Sequence, residues 1–207
     1  MIRAVYLHGF ASSPKSSKAQ FFGCKLADAG ASVHIPQLDG GDFENLTITG
    51  QLAVIDKTVG GQPAVLLGSS LGGFLAALYA ARHPEIQRVV LMAPAFQFPS
   101  RFRQRYSPQD LELWERKGSV PVYHYGYKKE CLLGYRLIED AARYEDEPAF
   151  TQPALLFHGI HDPVVPCQVS EAFAARHPQV TLHRMESGHE LTDVLEEMWA
   201  LTLPFLG

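Results

Sequence analysis

The sequence predicts an α/β fold: a mainly parallel sheet of about six strands, helices on both of its faces, and a lid-like insertion after the fourth strand. Three observations carry this. Short apolar or β-branched runs alternate with segments whose apolar residues recur every three or four positions. The helical segments usually stop near Gly or Pro, as at Gly30, Gly60 and Pro84. A chain of 207 residues, 46% hydrophobic and 19% charged, fills one core of ordinary size and hardly two, so residues 1–207 are read as a single domain.

In chain order, residues 2–7 form the first strand, 16–29 a helix closed by Gly30, and 32–35 a second short strand. Residues 47–59 make a helix ended by Gly60, 64–68 the third strand, 71–82 a helix stopped before Pro84, and 88–92 the fourth strand. Residues 95–153 then break the rhythm. They hold many aromatics, among them Phe98, Phe102, Tyr106, Trp114 and Tyr125, and one helical-looking run at 131–144. Because this insertion leaves the carboxyl end of a strand, it is expected to lie over the functional face as a lid, the alternative being a merely decorative excursion. Alternation resumes with a strand at 154–157, a helix at 167–176, a strand at 181–184 and a helix at 191–203. In such sheets, function sits on the loops leaving the carboxyl ends of the strands.

A net charge of −4 gives no positive field for embracing nucleic acid or an anionic membrane. No apolar run reaches the ~18–20 residues that span a bilayer, and the start of the chain has no signal-peptide pattern, so a cytoplasmic protein is expected. Cys24, Cys131 and Cys167 are odd in number, widely spread and without CxxC spacing, which reads as reduced packing residues. His158 and His161 lack the spacing that sets two metal ligands on one helical face, so neither metal nor cofactor is expected.

The most informative segment is Gly68-Ser-Ser70-Leu-Gly72, placed between a strand and a helix. A serine on so tight a turn has strained backbone angles; small neighbours relieve the crowding and the hydroxyl is pushed into open space, with a helix amino end favouring developing negative charge. Ser70 could instead merely cap the helix that begins at Leu71. A serine hydroxyl needs a base, and the base an orienting acid. Asp162 follows the fifth strand and His189 the sixth, so nucleophile, acid and base occur in the chain order of α/β-hydrolases, with Glu190 and Asp193 as alternative acids. The oxyanion donors are expected to be the amide of Leu71 and that of Phe10, in the loop where Gly9 lets the chain turn; His8 is read as a residue holding this loop.

Tyr6-Leu-His-Gly-Phe-Ala-Ser-Ser-Pro-Lys-Ser-Ser-Lys-Ala19, together with Leu67-Gly-Ser-Ser-Leu-Gly-Gly-Phe74, resembles the small bacterial YqiA-type esterases of the α/β-hydrolase superfamily over nearly the whole chain. The resemblance implies an α/β-hydrolase fold with Ser70 as nucleophile, Asp162 as acid, His189 as base, and the Phe10 and Leu71 amides as oxyanion donors. The long aromatic middle departs from that family, which leaves substrate preference open. The expected activity is that of a serine esterase or thioesterase acting on a small-molecule acyl ester or thioester without a cofactor. An acyltransferase, a C–C hydrolase or a non-catalytic ligand-binding protein on the same fold are the alternatives, and oligomeric state is open. Arg101, Arg103 and Arg105 are read either as a solvated face or as a basic cluster for an anionic leaving group such as the phosphates of an acyl-coenzyme A.

Overall fold

The computed structural model describes residues 2–207. It begins with β1 (Arg3–Leu7), α1 (Ser17–Asp28), β2 (Ser32–His34), α2 (Ile48–Val59), β3 (Ala64–Ser69), α3 (Leu71–Ala80) and β4 (Ile86–Met92). Residues 95–153 contain α4 (Phe98–Gln104), α5 (Pro108–Lys117), β5 (Ser119–His124), β6 (Lys129–Gly134) and α6 (Arg136–Ala141). The chain then returns through β7 (Ala154–Gly159), α7 (Cys167–Arg176), β8 (Val180–Met185) and α8 (Leu195–Leu206).

Six strands form one sheet in the order β2-β1-β3-β4-β7-β8, and every neighbouring pair is parallel. These are the six strands the sequence predicts. The pleat divides their side chains between two cores. Val5, Leu7, Leu66, Val89, Leu91 and Leu156 face one; Ala4, Tyr6, Val65, Leu67, Val90 and Phe157 face the other. Helices α2, α3 and α7 cover the first face, α1 and α8 the second. With both faces covered, β3 and β7 are buried along their whole length and read as continuous apolar runs.

Helix α3 is buried at every residue, so it needs cover on the side turned away from the sheet. The insertion supplies it: Phe98 packs against Phe74 at a tilt, 6.1 Å between ring centroids, and Phe98, Phe102, Trp114, Leu133 and Leu137 join the same core as α3. The aromatic residues that looked unusual in the sequence are therefore mostly packing residues.

Two sequence expectations are corrected. Residues 131–144 are not one helix: Cys131–Gly134 lie in β6, which pairs antiparallel with β5, and only Arg136–Ala141 is helical. Tertiary bonds override the local apolar period, since the Trp114 indole donates to the Leu133 carbonyl (3.0 Å) and the Gly134 amide to the Glu44 carbonyl (2.8 Å). The last helix starts at Leu195 and not at residue 191, because Leu191 has φ +53°, a left-handed conformation that a helix cannot contain.

Candidate active site

Ser70 occupies the turn between β3 and α3 with φ 54° and ψ −118°, a conformation that costs a non-glycine residue on the order of 1–3 kcal/mol. The surroundings hold it there. Its amide donates to the Met92 carbonyl (2.9 Å), and its carbonyl accepts from the amides of Gly73 (2.9 Å), Phe74 (3.1 Å) and Ala95 (2.9 Å). Glycine is required on both sides of the turn: a Cβ on Gly68 would stand 2.3 Å from the Gly72 carbonyl oxygen, and one on Gly72 would stand 2.1 Å from that of Leu7. The Ser70 side chain does not cap α3. Its hydroxyl lies 3.0 Å from His189 Nε2.

His189 Nδ1 stands 2.7 Å from Asp162 Oδ2, so the three predicted residues form one hydrogen-bonded chain. Asp162 follows β7, and its side chain is fully buried. Burial alone pushes a carboxyl upward in pKa, but His158, His189 and the Val165 amide outweigh it and hold Asp162 well below the usual carboxylate range. Oδ1 accepts from the amides of Val164 (2.7 Å) and Val165 (2.9 Å). The alternative acids are not placed against the imidazole: Asp193 accepts from the Ser187 hydroxyl, and Glu190 lies along the cavity wall.

His158 is the residue that sequence reasoning undervalued. It is fully buried, with Nε2 3.1 Å from Asp162 Oδ2 and 2.8 Å from the Val165 carbonyl, while Nδ1 lies 2.7 Å from the Ser170 hydroxyl. An Nε2–H donates to both oxygens and Nδ1 accepts from Ser170, so His158 and His189 meet the same carboxylate oxygen and His158 helps to fix the Asp162 side chain. Its position at the end of β7, four residues before Asp162, was the available signal. His161, by contrast, pairs with Glu186 on the surface (2.6 Å) and takes no part in the site.

Phe10 and Leu71 both line the cavity in front of Ser70, and neither amide donates to any acceptor among the described residues. Gly9 brings this loop close: a Cβ there would stand 3.4 Å from Ser70 Cβ. His8 holds the loop as expected, donating from Nδ1 to the Gly9 carbonyl (3.0 Å) and accepting at Nε2 from the Leu38 amide (3.3 Å).

That pattern requires a neutral His8 ring, and burial lowers its pKa. Burial likewise lowers that of His124, which sits 3.6 Å from Asp39 and accepts from the Tyr127 amide. The unfolded chain binds protons on these histidines at ~6.5, whereas the folded protein resists them until lower pH. Their contribution to stability is thus complete above ~6.5 and is lost as pH falls from there toward the folded values. A melting temperature that is level near pH 8 and declines below ~6.5 is expected in thermal melts. A level profile down to pH 5 would contradict it.

The cavity has a volume of about 850 Å3. Residues 95–153 contribute Phe98, Phe102, Arg105, Tyr125 and Lys128 to its wall. The three arginines of α4 and its end do not form one cluster. At ~100° per residue, position 103 is turned ~200° away from 101 and 105, which lie one turn apart on the same side. Arg105 lines the cavity, Arg101 donates to the Val164 carbonyl (3.3 Å), and Arg103 is exposed. Among the described residues no group of His, Cys, Asp and Glu is arranged to hold a metal ion, and no helix is long and apolar enough to cross a membrane.

Comparison with known structures places this fold. The chain superimposes on ferulic acid-bound Est1E from Butyrivibrio proteoclasticus with a TM-score of 0.82 at 19% identity, covering 99% of this chain and 89% of that one. Mouse α/β hydrolase domain-containing protein 10 gives the same TM-score, 0.82, at 19% identity over 99% and 89% of the two chains. The monoacylglycerol lipase of Paleococcus ferrophilus gives 0.75 at 18% identity over 99% and 93%. At these identities the likeness establishes the α/β-hydrolase fold and nothing finer. No curated protein matches the sequence. The model of an uncharacterised protein family, UPF0227, matches residues 3–205. The chain thus belongs to the uncharacterised protein family UPF0227, the YqiA-type family that its two motifs resemble.

Proposed function

We propose that this protein is a serine hydrolase that cleaves small-molecule carboxylic esters or thioesters through an acyl-enzyme, in the cytoplasm and without a cofactor. The observation that carries the reading is the unbroken chain from the Ser70 hydroxyl through His189 to Asp162, with separations of 3.0 and 2.7 Å. Ser70 Oγ attacks the acyl carbonyl as its proton passes to His189 Nε2. Asp162 fixes the ring with Nε2 toward the serine and stabilises the imidazolium. The free Phe10 and Leu71 amides receive the oxyanion, each such donor being worth roughly 10²–10³ in rate. The imidazolium then protonates the leaving alcohol or thiol, and water, activated by the same ring, releases the acid. The insertion acts as a lid or wall over the acyl group, a role supported by the aromatic rings of Phe98 and Phe102 beside the serine.

A fluorophosphonate probe followed by peptide mapping tests this reading. Stoichiometric labelling at Ser70, blocked by an ester substrate, is the expected result; labelling elsewhere, or none, would remove the assignment.

A further inference from the structure

The cavity wall contains a feature that ester hydrolysis as such does not use. The amino end of α1 opens into the cavity through Ser16, Ser17 and Lys18. It is uncapped: the Ser16 side chain accepts no amide, and the first turn holds no acidic residue. The amides of Ser17, Lys18 and Ala19 have no acceptor among the described residues. A 12-residue helix with its amino end so exposed presents three N–H groups and a partial positive charge to whatever occupies the cavity.

Lys18 adds a full charge at the same place. It is only 8% exposed, lines the cavity, and has no hydrogen-bond acceptor among the described residues; the carboxylates of Glu190 and Asp162 act on it only through space. Its stem is buried and its ammonium, without a hydrogen-bonded partner among the described residues, is left to the cavity; Lys is rarely so deeply buried for packing alone. The surrounding charge has the same sign. Lys15, Arg105 and Lys128 line this cavity with Lys18, against the single carboxylate of Glu190, in a protein of net charge −4.

We propose that Lys18 and the open amino end of α1 form a subsite for a compact oxyanion, a carboxylate or phosphate carried by the ester itself, so that the protein selects anionic over neutral esters. This rests on the hydrolase reading above. The uncapped amides satisfy the oxygens of the anion, and the ammonium supplies the opposite charge. The neutral remainder of the ester extends toward Ser70 along Phe98 and Phe102.

Steady-state hydrolysis tests it with four probes: neutral phenyl butyrate, phenyl hemiglutarate with a carboxylate on the acyl side, and 4-acetoxybenzoate and 4-acetoxyphenyl phosphate with a carboxylate or a phosphate on the leaving group. In the wild-type protein at least one anionic ester should exceed the neutral one in kcat/KM by on the order of 10-fold or more, with the advantage declining as salt is added. In Lys18→Met, the ratio of anionic to neutral kcat/KM should fall by about 10- to 100-fold, chiefly through KM. The pattern across the three anionic probes identifies which oxyanion and which side of the ester the subsite takes. A wild-type preference for the neutral ester overturns the inference without any variant being made. So does an equal fall on all four esters in Lys18→Met, which would make Lys18 only a counter-charge for Glu190 and Asp162. Hydrolysis of none of the four would remove the hydrolase reading and this inference together, whereas neutral hydrolysis with no anionic preference removes this inference alone.

Discussion

Replacing Ser70 by Ala is expected to lower kcat for ester hydrolysis by on the order of 10⁴ or more and to abolish fluorophosphonate labelling, while the melting temperature moves little. The loss is large because nucleophile and base act as a unit: without Oγ, His189 Nε2 has no proton to accept and no acyl-enzyme can form. The fold is spared because the strained φ of 54° is imposed by backbone bonds to Met92, Gly73, Phe74 and Ala95, all of which an alanine retains. What disappears is one 3.0 Å hydrogen bond to a partly accessible ring, worth about 1 kcal/mol. Ser69→Ala is the control. The imidazole of His189 meets the Ser70 hydroxyl and makes no hydrogen bond to that of Ser69, so the variant should keep most of its activity. Retained turnover in Ser70→Ala would overturn the mechanism.

Asp162→Asn should lower kcat by about 10⁴ with the backbone unchanged. The amide oxygen can still accept from Val164 and Val165 at the Oδ1 position. The Oδ2 position then becomes an NH2, which faces the donors on His189 and His158. His189 is thereby driven to the tautomer that accepts at Nδ1 and carries its proton on Nε2, where it can no longer take one from Ser70. Asp193→Asn serves as the comparison, since Asp193 is engaged by Ser187 and not by the imidazole. A greater loss in Asp193→Asn than in Asp162→Asn, measured on the same ester, would reassign the acid.

The order of the three chemical residues along the chain was legible without coordinates because a βα repeat delivers each strand end to the same edge of the sheet. Gly68-x-Ser70-x-Gly72 was equally legible as a motif; Gly68 answers to the Gly72 carbonyl within the strand-turn-helix unit, whereas Gly72 answers to the Leu7 and His8 carbonyls after β1. The six core strands could be placed within a residue or two for a related reason. Strands covered on both faces are continuous apolar runs, and such runs are visible in one dimension. The insertion was not legible in this way. Residues 131–134 carry a period that fits a helix, and only the ladder with β5 and the bonds from Trp114 and to Glu44 make them a strand.

The sequence by itself determined the fold class, the glycine-flanked turn that carries Ser70, and the placing of Asp162 and His189 after successive strands, because each depends on local pattern or on chain order. The tertiary structure alone decided which groups surround them. His158 reaches Asp162 across the turn at the end of β7, Arg103 is turned away from Arg101 and Arg105, and Lys18, an ordinary lysine at the start of an amphipathic helix in the sequence, is carried into the cavity by the packing of α1 against β1 and β2. Burial, desolvation and through-space charge belong to the whole assembly of elements, and no window of sequence encodes them.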